Sequence, residues 1–336
     1  MKIAVDAAGG EYAPHEIVKG AIKAARELEV EVILVGKRDM LYVQAGRHLT
    51  TLGLSIVDAG ETIGFHESPV EAVQNKPCSS IVVGTNLVRD GIASAFVSAG
   101  HSGAVFYSAL VSLGKVEGID RPAIGSIINL NTTGPVLLVD AGANADCRPN
   151  HLVQFAQLGS IYARGIFGID SPRIGLLNNG EEEGKGNRLA KESHQLLKKT
   201  SLNFIGNIEG YDITQGTVDV VVTDGFTGNI VLKTLEGLGD TFLKLRHVGR
   251  LLSRAYHLQG HDLLLDVGLG TLAKRMDYRE YGGACLLGVK GNIIIAHGRS
   301  QATTIKNAIG LAKQTIERDI TQKIKEEDYE QTHIRD

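Results

Sequence analysis

Residues 136–159 read VLLVDAGANADCRPNHLVQFAQLG. Four aliphatic residues run without a polar break. Asp140 ends the run, a turn rich in small residues follows, and Pro149 opens an amphipathic stretch. An unbroken Val/Leu run is the pattern of a strand covered on both faces, as in a mainly parallel sheet. Proline at the first helical position costs no hydrogen bond. The stretch therefore predicts strand, turn and helix in succession.

The same rhythm extends outward in both directions. Strands are expected at Lys2–Asp6, Glu31–Val35, Leu54–Val57, Ala93–Val97, Gly125–Leu130, Val136–Asp140, Arg173–Asn178, Val218–Thr223, Cys285–Val289 and Asn292–Ala296. Helices are expected at Pro14–Glu29, Ser102–Gly114, Pro149–Arg164, Lys185–Lys199, Gly228–His257 and Gln301–Arg318. Strands that alternate with helices argue for a three-layer α/β/α fold with a mainly parallel sheet. The expected organisation is one α/β unit of two lobes, approximately 1–140 and 141–322. It carries a helical insertion at approximately 236–277 and a polar tail at 323–336.

Composition narrows the function. The 336 residues are 43% hydrophobic and 22% charged, as in a packed globular protein. With 35 Lys+Arg against 38 Asp+Glu, the net charge is −3, which argues against a globally basic nucleic-acid binder. Aromatics are 5% with no Trp, which argues against base-stacking platforms. Cys78, Cys147 and Cys285 form no CxxC pair, so neither a zinc site nor a disulfide frame is expected, and a reduced cytoplasmic setting fits. No stretch has the length of a signal peptide's apolar region or of a membrane span.

Ligands of open α/β sheets sit beyond the carboxyl ends of strands. Five expected strands end in small, Gly-rich loops bearing Asn, Asp, Ser or Thr. These start at Asp6, Ser98, Asp140, Asn178 and Thr223. Glycine lets backbone N–H groups approach an anion, and helix N-termini add partial positive charge. With all five on one sheet edge, they predict a cleft for phosphate or an oxyanion. Candidate cradle residues are Gly9, Gly10, Ser102, Gly103, Asn144, Gly184, Gly186, Gly225, Thr227 and Gly228. Walker A, GxGxxG, HExxH and GxSxG are all absent.

Single residues read two ways. Lys185 is either a solvated loop lysine or a substrate contact. Glu181–Glu183 is either a metal site or, more often, a set of helix-dipole partners, and Asp140 and Asp146, which flank a Gly/Asn loop, read as turn and cap residues. Asp224 is a turn, cap or phosphate-orienting residue, and His101 a base or a hydrogen-bonded spacer. Cys147 reads as a structural thiol, since only Arg148 stands near it as an activator. Over Leu238–His261, Arg246, Arg250, Arg254 and His257 fall on one helical face, opposite Leu245, Val248 and Leu252. That face is either solvated or a dock for an acidic protein or anionic lipid.

Together these loops resemble one family, the bacterial phosphate acyltransferases of phospholipid synthesis (PlsX). The resemblance rests on MKIAVDAAGGEYAP (1–14), SAGHSGA (98–104), RPAIG (121–125), DAGANADCRPNHLVQFAQLG (140–159) and GLLNNGEEEGKGN (175–187). It continues through NFIGNIEGYDI (203–213), DVVVTDGFTGNIVLKTLEG (219–237), EYGGACLLGVKG (280–291) and AHGRS (296–300). The chain departs from the family pattern at Ala8, Glu11, His101-Ser102 and Asn179, and matches least over 238–275.

The resemblance implies an isocitrate/isopropylmalate dehydrogenase-like fold and a homodimer. The implied reaction makes acyl phosphate from acyl-[acyl carrier protein] and inorganic phosphate. It further implies a downstream membrane glycerol-3-phosphate acyltransferase and peripheral membrane contact. Lys185, Asn187, Asp224 and Asn229 are then the expected catalytic residues, with an oxyanion donor at Asn187, Asn229 or the Gly228 N–H. Arg246, Arg250 and Arg254 are the expected carrier-protein dock. No metal or organic cofactor is demanded. The competing readings are an NAD-dependent decarboxylating dehydrogenase of the same fold and a non-catalytic carrier-protein or membrane-surface module.

Overall fold

In the computed structural model, residues 1–130, 134–255, 281–327 and 329 are described. The first strands and helices are β1 (Lys2–Asp6), α1 (His15–Leu28), β2 (Glu31–Gly36), α2 (Arg38–Ala45), α3 (His48–Thr51), β3 (Ser55–Asp58), α4 (Pro69–Asn75), α5 (Ser80–Arg89), β4 (Ala95–Ser98) and α6 (Ser102–Leu113). Next come β5 (Ala123–Ile128), β6 (Val136–Val139), α7 (Pro149–Tyr162), β7 (Ile174–Leu177), α8 (Arg188–Leu197), β8 (Phe204–Ile208), α9 (Asp212–Gln215) and β9 (Val220–Val222). The series closes with α10 (Gly225–Ala255), β10 (Ala284–Leu287), β11 (Asn292–Ile295), α11 (Ala302–Glu317) and α12 (Ile320–Glu326).

The strands form one sheet in the order β3-β2-β1-β4-β11-β10-β5-β6-β9-β7-β8. Alternate residues of each strand face opposite layers. Val5, Val97, Val139 and Ile294 face the layer of α1, α7 and α11, where Ile17, Phe155, Tyr162 and Ile305 are buried. Ala4, Phe96, Leu138 and Ile293 face the layer of α5 and α6, with Val231, Leu232 and Leu235 of α10 packed beside them. Both faces are covered, which accounts for the unbroken apolar runs. The expected mainly parallel α/β/α architecture is found.

The strand directions differ from expectation. The pairs β11–β10, β10–β5 and β5–β6 are antiparallel, and the others are parallel. Hence β1–β5 and β11 run one way, and β6–β10 run the other. The turns after β1 and β4 leave one end of the sheet; those after β6, β7 and β9 leave the opposite end. They do not share one edge. The two blocks overlap in the middle. Ser98 of β4 is level with Ile295, Ala284, Ser126 and Leu138. Val139, the end of β6, is only one step away, level with Gly125. Strand ends of opposite sense therefore meet above the central strands.

Other differences are local. Helix α8 starts at Arg188 rather than at Lys185, because Asn187 caps it. Helix α10 starts at Gly225, and residues 256–280, with His257, His261 and much of the expected insertion, lie outside the described residues. The tail holds α12, and residues 328 and 330–336 also lie outside them.

One ion pair ties β9 to β7. The Arg173 guanidinium donates to Asp219 at 2.9 and 3.1 Å, and the Arg173 N–H donates to it at 2.7 Å. Burial pushes the Asp219 carboxyl up, but these bonds outweigh it and hold the group below its ordinary range. A depressed acid stabilises the fold above its unfolded value, and that stability is lost as pH falls through the folded value. Asp219→Asn is expected to lower stability at pH 7 by about 1 kcal/mol. Urea unfolding at pH 7 and pH 3 checks it: the difference between wild type and variant should shrink in acid.

Candidate active site

Asp140 organises the turn after β6. Its carboxylate accepts from the N–H groups of Ile124 (3.0 Å), Gly142 (3.1 Å), Ala143 (3.0 Å) and Asn144 (2.7 Å), and from Asn144 Nδ2 (2.8 Å). Burial pushes the Asp140 carboxyl up, and the same donors pull it back part of the way. Asn144 Nδ2 also donates to the Pro122 carbonyl, at 2.8 Å. Asp140 and Asn144 therefore hold the loop together, and Asn144's amide group is spent inside it.

Asp6 plays the same part after β1. It accepts from the Ala8 N–H (3.1 Å) and from Ser98 Oγ (2.6 Å), while Ser98 Oγ accepts from the Gly100 N–H (3.0 Å). Burial likewise pushes the Asp6 carboxyl up. Gly9 lies against Asp6, where a Cβ would sit 2.2 Å from the carboxylate. Gly10 packs beside Ala99 and the Gly298 carbonyl.

The start of α10 is pressed onto the Asp140 loop. The Gly225 N–H donates to the Asn144 carbonyl at 2.7 Å. A Cβ on Gly228 would lie 1.9 Å from the Asp140 carbonyl oxygen. Asp224 caps the helix, accepting from the Thr227 N–H and Thr227 Oγ1, both at 2.8 Å. The Gly228 N–H donates to the Asp224 carbonyl at 2.9 Å. The Gly228 N–H, one of three donors expected for the oxyanion, thus makes the first intrahelical bond. Asp224 is likewise a cap, which its Asp-x-x-Thr spacing permits.

This helix start separates two cavities. The first, of about 350 Å³, has a floor of Leu152, Leu176, Leu177 and Leu189 and a rim of Asn178, Asn179, Gly186, Asn187, Asp224 and Thr227. The second, of about 400 Å³, lies over the central strands. One bank carries Gly100, His101 and Ser102 from the β4 turn. The other carries Ala141 and Gly142 from the β6 turn, with Asn229, Lys233 and Glu236 of α10. Phe65, Ile124, Ser126, Ile127, Leu232, Tyr281–Ala284 and Ile295–Gly298 complete its lining.

The expected residues divide accordingly. Asn229 and Ser102 face the central cavity; Asn187, Gly186, Asp224 and Thr227 face the first. Asn187 Oδ1 is engaged as the α8 cap, accepting from the Ala190 N–H at 2.8 Å. Lys185 and Gly184 are exposed on the preceding loop and line neither cavity, and the Lys185 N–H donates to the Glu182 carbonyl. Gly103 sits in α6 beside His101 and Pro69. His101 caps α6 through Nδ1, accepting from the Ala104 N–H at 3.4 Å, so the spacer reading fits its geometry. Cys147 is half-buried, its thiol pushed up to about 12 chiefly by burial, which suits a structural thiol. Arg246, Arg250 and Arg254 stand on the backbone of α10, and their side chains lie outside the described residues. Among the described residues, no three His, Cys, Asp or Glu side chains gather as for a metal ion.

Sequence reasoning passed over the third turn of α10. Lys233 Nζ donates to Glu236 Oε2 at 2.7 Å and lies 3.2 Å from His297 Nε2. Burial pushes the Glu236 carboxyl up, but His297 and Lys233 bring it below its ordinary value. The available signal was the four-residue spacing from Asn229 to Lys233, which places both on one helical face.

A sequence model described as "Fatty acid synthesis protein" matches residues 1–323. The chain belongs to this family. A relative of the fatty acid synthesis family from Dehalococcoides mccartyi, named "Phosphate acyltransferase", is 59% identical over 97% of this chain and 94% of its own. Another of that name, from Desulforamulus reducens, is 48% identical over 97% of each chain. Among solved structures, a phosphotransacetylase from Streptococcus pyogenes superposes with a TM-score of 0.56 at 20% identity, covering 94% of each chain. That likeness is one of fold.

Proposed function

We propose that the chain is an acyltransferase that moves the acyl group of acyl-[acyl carrier protein] to inorganic phosphate, in phospholipid biosynthesis. A phosphate oxygen attacks the thioester carbonyl carbon and a C–O bond forms. The tetrahedral oxyanion collapses, the C–S bond breaks, and the electron pair leaves on the pantetheine sulfur. The products are acyl phosphate and the free carrier protein. A thiolate leaves readily, so positioning and charge stabilisation supply most of the acceleration.

The observation that carries this reading is the central cavity, to which oppositely running strand blocks each contribute a turn with polar groups. Asn229 has an amide able to donate to the oxyanion, and Ser102 faces it from the other bank. The leucine-floored cavity next to it suits an apolar or amide-bearing arm of the thioester. Among the described residues no helix is long and apolar enough to cross a membrane. Docking of the acidic carrier on Arg246, Arg250 and Arg254, a homodimer and peripheral contact with lipid complete the proposal. A membrane glycerol-3-phosphate acyltransferase would consume the product.

The purified chain, given palmitoyl carrier protein and phosphate, should release acyl phosphate, trapped as the hydroxamate. Absence of product at every phosphate concentration defeats the reading.

A further inference from the structure

We propose that Lys233 is the cation that holds the attacking phosphate, with Glu236 and His297 as its positioning pair. The inference rests on the reaction proposed above and adds the residue that recognises its inorganic substrate.

Phosphate near neutral pH carries one to two negative charges and needs a cation or several convergent donors. Each cavity carries one lining carboxylate, Asp224 or Glu236, but among the residues lining the leucine-floored cavity there is no Lys, Arg or His. Phosphate is disfavoured there. The central cavity has one Lys or Arg among its lining residues, Lys233.

The surroundings of Lys233 engage part of its ammonium and leave part for the cavity. His297 Nδ1 accepts from the Arg299 N–H at 3.1 Å. Nε2 faces Glu236 Oε2 at 3.5 Å. The mostly buried Glu236 carboxylate accepts from the ammonium, and His297 Nε2 stands within reach of both. One of the three ammonium hydrogens goes to Glu236. His297 Nε2, 3.2 Å away, stands beside a second, and at least one can point into the cavity.

Asn229 precedes Lys233 by four residues, a rise of about 6 Å along the helix. An amide for the oxyanion and an ammonium for the nucleophile therefore stand one turn apart on one cavity wall. This separation suits two adjacent reacting groups. Lys233 transfers no proton: it holds the phosphate while the C–O bond forms and the C–S bond breaks.

The test is steady-state kinetics of the full chain with palmitoyl carrier protein and varied phosphate. Lys233→Gln is expected to raise the phosphate KM about tenfold or more, with the carrier-protein KM within about twofold and the melting temperature lowered by no more than about 4 °C. Lys233→Arg should recover part of the loss, and Glu236→Gln should raise the phosphate KM less. An unchanged phosphate KM in Lys233→Gln overturns the inference, as does a rise confined to Lys185→Gln. If the wild type makes no acyl phosphate, the reaction assignment fails. The thermal shift induced by inorganic phosphate then decides the cation: its loss in Lys233→Gln supports Lys233, and its persistence removes Lys233.

Discussion

Asn229→Ala should lower kcat by about 10²- to 10³-fold while leaving the fold intact. That is the usual loss when one preorganised oxyanion donor is removed. Asn229 is exposed, one turn into α10, and faces the central cavity rather than the core. Truncating it removes no buried contact of the Asp140 loop, so the melting temperature should move by less than about 2 °C. If instead kcat stays within threefold, or the loss is matched by unfolding, Asn229 is not the donor. Asn229→Asp separates the parts of the effect. It keeps the shape, replaces the donor with an acceptor, and should be at least as inactive as the alanine variant.

Gly228→Ala has a different expected outcome, loss of both activity and stability. The added methyl would sit 1.9 Å from the Asp140 carbonyl oxygen, which is backbone and cannot swing aside. Either α10 lifts off the loop or the loop opens. Lifting breaks the Gly225 to Asn144 hydrogen bond, and opening disturbs the buried Asp140 carboxylate and its donors. A cost of about 2–4 kcal/mol is expected, in the range of overpacking plus a disrupted buried polar network. Chemical denaturation measures it. Gly237→Ala is the control, since nothing lies within 4 Å of a Cβ there. Equal stability of the two variants would show that the helix start yields easily.

These variants also mark how far the sequence was legible. Runs such as Val136–Val139 are read correctly because double burial leaves an unmistakable apolar stretch. Strand direction is not written in such a run. Ala284–Leu287 and Ala123–Ile128 look like any buried strand, yet their antiparallel pairing reverses the second block and sends the five turns to two ends of the sheet. The turn Thr223–Asn229 shows a second limit. Asp, Gly and Thr suit both an anion cradle and a helix cap, and only the hydrogen-bond partners distinguish the two. Lys233 escaped notice because it stands past the glycines, in an ordinary amphipathic turn. Its environment comes from His297, 64 residues on, which no local pattern connects to it.

The reversal of strand sense at β5 and β10 has a further consequence. The central cavity lies across the seam between two ribbons laid in opposite directions, and both ribbons line it. Wear along the two joining strands should show first as slower turnover, well before either ribbon loses its own shape.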